Sequence, residues 1–393
     1  MKNTLYIFWN RSSIKVLVLF FFSVLSFSTA QQKPNVLLIN IDDMGWKDVG
    51  FMGSDFYETP NIDALSAAGM VFNNGYTSAA NCAPSRACLL TGLWPQRHGV
   101  FTVGSSQRGN KEDRKIIPIK NTRFLSNKFK VIPQYLKEVG YNTYHIGKWH
   151  ISKNPMDFGF DVNIGGSDAG FPKSYFPPYK NVDVEGSGAA YLTDVLTEKA
   201  VTLMTASKEP FFMYYATYAV HLPINPILEL VPKYLKRESK LGQTNAKYAS
   251  MVENLDKNIG LLIKGLEDAG KFENTIIIFT SDNGGLYGIT SQKPLRSGKG
   301  SYYEGGIKVP FFFVWQNKIS KNTRSDFPIS NMDILPTILS LTSNGNNKNI
   351  ADGADLSSLL LHRKNQIERP LFWHFPIYLQ SKKWKGFVNE NRD

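Results

Sequence analysis

Cysteine is nearly absent from this chain, with two in 393 residues, Cys82 and Cys88. That excludes a disulfide-built scaffold and any Cys-rich zinc module. The two sit close together in a segment that reads as a helix, where their side chains point to different faces, so no bridge is expected between them. Zinc-finger spacing, leucine-zipper heptads and an RNP1 pattern are missing, so nucleic acid is not an expected partner. The net charge of +12 is scattered, with no basic block, and gives a general attraction to polyanions. Long apolar runs are missing too. Val16 to Leu25 is too short to span a bilayer, so no stable membrane anchor is expected. With Lys2, Arg11 and Lys15 before it and Ser28-Thr29-Ala30 after it, that run reads as a signal peptide over residues 1–30. No cysteine follows it to carry a lipid. The mature chain is expected to begin near Gln31 and to be exported, to a periplasm or beyond. Internal repeats are absent, and the only biased tract is Asn344-Gly-Asn-Asn-Lys-Asn349.

What is present is an alternation of apolar strands and amphipathic helices. Strands are expected at Asn35–Ile41, Thr143–Ile146, Phe211–Tyr218, Thr275–Thr280 and Pro310–Trp315. Helices are expected from Pro60 to Ala68, Pro84 to Leu90, Val131 to Val139, Ala190 to Ala206, Asn245 to Ala269 and Asp333 to Leu341. Several strands are apolar on both faces. The fold class is therefore α/β, a large and mainly parallel sheet with helices on both faces. Segments 101–130 and 152–189 are rich in Gly, Pro and Asn, and loops of that length are usually functional.

In such sheets ligands bind beyond the carboxyl ends of the strands. Four ends carry chemistry here: Asp42-Asp43, Gly147-Lys148-Trp149-His150, His221-Leu222-Pro223, and Ser281-Asp282-Asn283-Gly284-Gly285. Asp42, Asp43, Asp282 and Asn283 offer only oxygen, which suits a hard cation, Ca²⁺ or Mg²⁺. Singly, an Asp-Asp pair also serves as a cap and Asp-Asn-Gly-Gly as a plain turn. Both at strand ends of one sheet favour the metal. His221, Lys148 and His150 are candidate acids, bases or anion ligands. Lys148 and His150, two apart, would face one side if the segment is extended. His98, His145 and His362 read as packing or surface residues, and Lys299 between glycines as a solvated lysine.

Asn81-Cys82-Ala83-Pro84-Ser85-Arg86 places a thiol at a helix N-terminus, because Pro84 suits the first turn. Free N–H groups and the dipole favour anions there. Arg86, one turn on, can reach the same point. Cys88 reads as a small buried residue, which leaves Cys82 as a lone thiol.

These segments, with Thr59-Pro-Asn-Ile-Asp63, Cys82-Ala-Pro-Ser-Arg-Ala-Cys-Leu-Leu-Thr-Gly92 and Lys299 with Glu304-Gly-Gly-Ile-Lys-Val-Pro310, occur in an order that resembles the type I sulfatases of the alkaline phosphatase superfamily. The resemblance runs from Asn35 to about Leu341. It implies that a separate maturation enzyme oxidises Cys82 to formylglycine, which hydrates to a geminal diol. It implies Ca²⁺ between Asp42, Asp43, Asp282, Asn283 and the modified residue, with Arg86 holding the diol. Lys148 and Lys299 would stabilise sulfate oxygens. His221 would protonate the departing sugar oxygen, and His150 would deprotonate the second hydroxyl to expel sulfate. A sulfated polysaccharide or oligosaccharide is the implied substrate, and the aromatic loop Phe171–Tyr179 offers faces for sugar rings or simply packs. His374 resembles a position that can line the substrate pocket. The implied organisation is a catalytic domain over 31–345 and the start of a truncated antiparallel subdomain over 346–393. Alternatives are a phosphoester or phosphonate hydrolase of the same superfamily and an inactive binder of anionic glycan.

Overall fold

Seven consecutive buried residues, Asn35–Ile41, form the central strand β1. A strand with no exposed face needs cover on both sides, and its side chains divide accordingly. Leu37, Ile39 and Ile41 enter one core cluster, and Val36 and Leu38 the other. The computed structural model describes residues 32–342, 350–362 and 369–378. The expected signal segment over 1–30, the Asn344–Asn349 tract and the C-terminal tail lie outside them. The described chain from Pro34 onward forms one unit.

The other strands are β2 (Met70–Phe72), β3 (Gly75–Tyr76), β4 (Asn142–Gly147), β5 (Val162–Ile164), β6 (Phe211–Ala216), β7 (Thr275–Ser281), β8 (Phe312–Val314), β9 (Thr323–Ser325) and β10 (Ile329–Ser330). Eight of them form one sheet in the order β5-β4-β6-β1-β7-β8-β2-β9, and β10 pairs with β3 separately. The pairings from β5 to β7 are all parallel, and β8 is antiparallel to both its neighbours. The expected mainly parallel sheet is therefore present. Strand β6 stops at Ala216, two residues before the expected end, where Thr217 turns to donate to the Asn40 carbonyl. Strands β3, β5, β9 and β10 are two or three residues long and give no periodic signal.

The helices include α1 (Pro60–Ala67), α2 (Cys82–Thr91), α3 (Pro95–His98), α4 (Ile132–Lys137), α5 (Leu192–Ala206), α6 (Val231–Leu235), α7 (Ala246–Asp268), α8 (Glu304–Ile307), α9 (Ile334–Thr342) and α10 (Ser357–His362). Helices α5 and α7 cover one face of the sheet, and α2 and α9 the other. Helix α7 starts where the Asn245 side chain accepts the Tyr248 N–H, and Gly270 in the left-handed region follows its end. Leu356, Leu359 and Leu360 pack into the second cluster, so this part of the 346–393 stretch is tied to the core beneath the sheet.

Two core histidines set an acid limit. His98 accepts the Val100 N–H on Nδ1 and faces Cys88 Sγ at 3.4 Å, and His145 packs between Trp149, Phe160 and Tyr214. Burial lowers their pKa values to about 4 and about 3. The folded values lie below the unfolded one, so their contribution is full above about pH 6.5 and is lost as pH falls towards about 4 for His98 and about 3 for His145. The expected slope is about 1.4 kcal/mol per pH unit for each histidine. Urea unfolding between pH 7 and pH 5 checks this, and His98→Gln should remove about half of the slope assigned to the pair. An unchanged slope in that variant would contradict the assignment.

Candidate active site

Four adjacent parallel strands, β4, β6, β1 and β7, end on the same edge of the sheet. Ile41 lies beside Ser281, and Gly147 beside Ala216. The residues that follow each strand are thereby forced together: Asp42 and Asp43, Lys148 and His150, His221, Asp282 and Asn283. Helix α2 brings Cys82 as its first residue, with Asn81 extended just before it. Ligand atoms of Asp42, Asp43, Cys82 and His221 all lie within 4.8 Å of one another.

The backbone is bent to make this fit. Asp43 and His150 both occupy the left-handed region, at φ 62° and 68°. The segment after β4 is therefore a turn, not an extended strand, and the expected shared facing of Lys148 and His150 does not follow from alternation. Lys148 is buried against Asp42, while His150 lines the open cavity. Gly284 is required because a Cβ there would lie 1.9 Å from the Gly305 carbonyl oxygen. That close approach carries the Gly298–Gly306 loop, and Lys299 with it, onto the cluster.

Charge is concentrated and paired. Lys148 Nζ donates to both oxygens of Asp42 at 2.8 and 2.7 Å. Arg86 Nε and Nη2 each lie 2.8 Å from Asp282 Oδ2, and Nη1 donates to the Lys148 carbonyl at 2.9 Å. Lys299 Nζ lies 2.6 Å from Asp43 Oδ1, so it is no surface lysine. Asn283 Nδ2 donates to Asp43 Oδ1 at 2.8 Å, and the Asp43 N–H to Asp282 Oδ1 at 3.2 Å. The three carboxylate–cation pairs, Asp42 with Lys148, Asp282 with Arg86 and Asp43 with Lys299, are buried or nearly so.

The charges tune one another. Burial pushes the Cys82 thiol up, but the ammonium groups of Lys148 and Lys299 outweigh it and hold it at about 6. Burial opposes charge on His221 as well, and Asp43 at 3.6 Å overcomes it and raises its pKa. Burial, reinforced by Lys148 and Arg86, keeps His150 neutral. Burial pushes the Asp42 carboxyl up, and Asp282 adds to this against the pull of Lys148. Burial opposes ionisation of Asp282 too, but Arg86 and then Lys148 hold it low.

The residues present fit a hard divalent cation. Asp42, Asp43 and Asp282 bring three buried carboxylates together, and the buried Asn283 Oδ1 has no hydrogen-bond partner among the described residues. The donor set is oxygen with residue 82 beside it, the set expected for Ca²⁺ or Mg²⁺.

A cavity of about 700 Å³ opens above the cluster. Asp43, Cys82, His150, His221 and Lys299 line its inner wall, and Arg108, Arg123, Phe124, Phe171, Leu222 and Leu286 its outer part. The long loops 101–130 and 152–189 supply most of the outer residues, as their length suggests, but their sequence does not mark Arg108 or Arg123. Asn81, whose buried Oδ1 has no hydrogen-bond partner among the described residues, also faces the cavity, and nothing in the sequence assigns it a role there. In the aromatic loop only Phe171 reaches it, stacked on the His221 ring at 5.8 Å, while Tyr175 and Tyr179 are buried. Tyr175 Oη donates to the His221 carbonyl at 2.9 Å and so fixes that turn. His374 is exposed, lies outside the cavity lining, and accepts from Gln96 through its carbonyl.

Comparison with known proteins follows the same outline. The family model described as Sulfatase matches residues 34–344. A sulfatase of Formosa agariphila is 32% identical, over 89% of this chain and 76% of its own length. N-acetylgalactosamine-6-sulfatase of Mus musculus is 31% identical, over 88% of this chain and 69% of its own. The structure of Ps i-CgsB in complex with k-i-k-neocarrahexaose superposes with a TM-score of 0.72 at 32% identity, covering 85% of this chain and 77% of that one.

Proposed function

Because the chain belongs to the sulfatase family, it is a sulfuric ester hydrolase; we propose that it removes sulfate from a sulfated oligosaccharide or polysaccharide, using residue 82 as formylglycine beside a calcium ion. The observation that carries this is the convergence of Cys82, Asp42, Asp43 and His221 within 4.8 Å at the floor of an open cavity. Carbohydrate as substrate is supported by a similar structure that holds a neocarrahexaose and by similarity to an N-acetylgalactosamine-6-sulfatase.

Asp42, Asp43, Asp282, Asn283 and residue 82 would hold the cation, which when bound would supply Lewis-acid polarisation of a sulfate oxygen and a lower pKa for a neighbouring hydroxyl. As the hydrated aldehyde, residue 82 would supply two hydroxyls on one carbon, one to attack sulfur and one through which sulfate would be expelled again. The chain's own groups do the rest. His221 Nδ1 faces the Leu222 carbonyl at 2.8 Å, which can only accept, so Nδ1 carries a proton. A second proton on Nε2 is stabilised by Asp43, and His221 is the acid that hands it to the departing sugar oxygen. His150, kept neutral, is the base for the second hydroxyl. Lys299, on the cavity wall, brings positive charge to the sulfate oxygens; Lys148, buried on Asp42, adds its charge from behind that carboxylate, and Arg86 anchors the cluster through Asp282. Phe171 covers the His221 ring and limits its motion.

A catalytic domain over 31–345, maturation by a formylglycine-generating enzyme, and export directed by residues 1–30 complete the proposal. No helix among the described residues is long and apolar enough to cross a membrane.

The test is sulfate release, followed by ion chromatography, from sulfated oligosaccharides and an aryl sulfate, with matched phosphate esters alongside. Sulfate release should dominate. Chelation should lower it by at least about a hundredfold, with recovery on adding Ca²⁺. Faster phosphate release would favour the phosphoesterase alternative, and no release of either would contradict the proposal.

A further inference from the structure

Segment 369–378 has no part in the chemistry above, yet it touches several of the segments that build the site. We infer that it is a clamp on the catalytic lysine, and that Phe375 is a positioning residue that sets Lys299 through the ring of Tyr302. This rests on the role proposed above for Lys299 at the sulfate oxygens.

The segment alternates. Phe372 and His374 are exposed, while Trp373, Phe375 and Ile377 are turned inward. At one end Arg369 pairs with the buried Asp333, just before α9. Trp373 Nε1 donates to the Thr77 carbonyl at 2.8 Å, and the Trp373 ring meets that of Tyr76 at 5.4 Å. Residues 76 and 77 belong to the stretch that leads into Cys82. Phe375 then packs on Tyr302, with ring centroids 4.9 Å apart. At the far end the Tyr378 N–H donates to the Ser106 carbonyl at 3.1 Å, and its hydroxyl accepts the Ile116 N–H at 2.9 Å. That loop supplies Val103 and Gly104 to the cavity wall. One short stretch of chain thus holds the approach to the nucleophile, the lysine loop and the cavity wall together.

Lys299 is the group with most to gain from this support. Gly298 and Gly300 flank it, so its immediate neighbours brace it with no side chain. On the inner side backbone bonds hold the loop: the Lys299 N–H donates to the Gly285 carbonyl at 2.9 Å, and the Gly300 N–H to the Ala80 carbonyl at 2.7 Å. The first large side chain after the lysine is Tyr302, and Phe375 packs against it. Lys299 Nζ is held 2.6 Å from Asp43 Oδ1 and must also reach the sulfate. A displacement of about 1 Å in such a group can cost about a hundredfold in rate. A contact that fixes Tyr302 therefore acts on the reaction without touching the substrate.

The test is a double-mutant cycle on kcat, read on the best substrate of the sulfate-release assay and expressed per residue 82 converted to formylglycine. Phe375→Ala should lower kcat by about ten- to a hundredfold and change KM by less than about threefold. In a Lys299→Ala background the same change should cost less than about twofold, because the group it positions is gone. A role in stability alone gives one factor in both backgrounds, since loss of folded enzyme multiplies each rate alike. Phe375→Leu keeps an apolar side chain against Tyr302 and should recover most of the rate. Tyr302→Leu runs the same cycle from the other side of the contact if Phe375→Ala fails to fold. Equal factors in the two backgrounds, or a wild-type kcat in Phe375→Ala, would overturn the clamp and leave the proposed function intact. A wild-type kcat in Lys299→Ala would overturn the clamp together with the role of that lysine. No turnover by the wild-type enzyme would overturn the proposed function and the clamp with it.

Discussion

Cys82→Ala is expected to lower kcat/KM on any sulfate ester by about 10⁴- to 10⁶-fold, the scale seen when a covalent nucleophile is removed. The fold should survive. The side chain lost is one small sulfur group at the start of α2, and the helix keeps its Pro84 and its pairing of Arg86 with Asp282. The thermal midpoint should therefore move little while turnover disappears. Cys82→Ser is the more telling variant. A single hydroxyl can attack sulfur but has no second hydroxyl through which to expel sulfate, so it can support at most one turnover per enzyme. Steady-state turnover by Cys82→Ala near the wild-type rate would refute nucleophilic catalysis at this position.

Arg86→Met should show the largest loss of stability of any single change at the site. Arg86 is fully buried, with two nitrogens 2.8 Å from Asp282 Oδ2 and a third bound to the Lys148 carbonyl. Methionine fills much of the volume but leaves Asp282 a buried carboxylate facing an apolar group. Breaking one partner of a buried pair costs about 3–5 kcal/mol, most of it the stranded charge. Urea unfolding reads this directly. Adding Asp282→Asn to Arg86→Met should restore part of the loss, because the stranded charge goes with it. A loss below about 1 kcal/mol for Arg86→Met would show that the pair is not what holds the cluster together.

Much of the site is visible in the sequence because the sheet is parallel where it matters. Apolar runs at 35–41, 211–216 and 275–281 each stop at polar residues, and parallel neighbours must end together. Asp42, Asp43, Asp282 and Asn283 are therefore brought together by strand register alone. Lys299 is harder to read, since its glycine-rich surroundings resemble a surface loop. Only the close approach of Gly284 to Gly305 carries it inward. Lys148 and His150 reach the site through a turn with positive φ, which residue spacing does not encode. Arg108 and Arg123 are invisible for a different reason. Their loop is shaped by side-chain bonds from Asn121 and Arg114, and such bonds leave no periodic pattern. The aromatic loop at 171–179 divides between the two readings open to it, a sugar platform and plain packing. Its composition does not choose between them; Tyr175 and Tyr179 turn inward and pack, and Phe171 alone faces the cavity.

The central claim is that residue 82 works as an aldehyde and not as a thiol. Mass spectrometry of the proteolytic peptide that contains it, taken from a preparation active on a sulfated oligosaccharide, tests this most directly. The account predicts a mass in which the thiol has been replaced by a carbonyl, in a fraction that tracks specific activity across preparations. Full activity from protein whose residue 82 is entirely unmodified cysteine would contradict it.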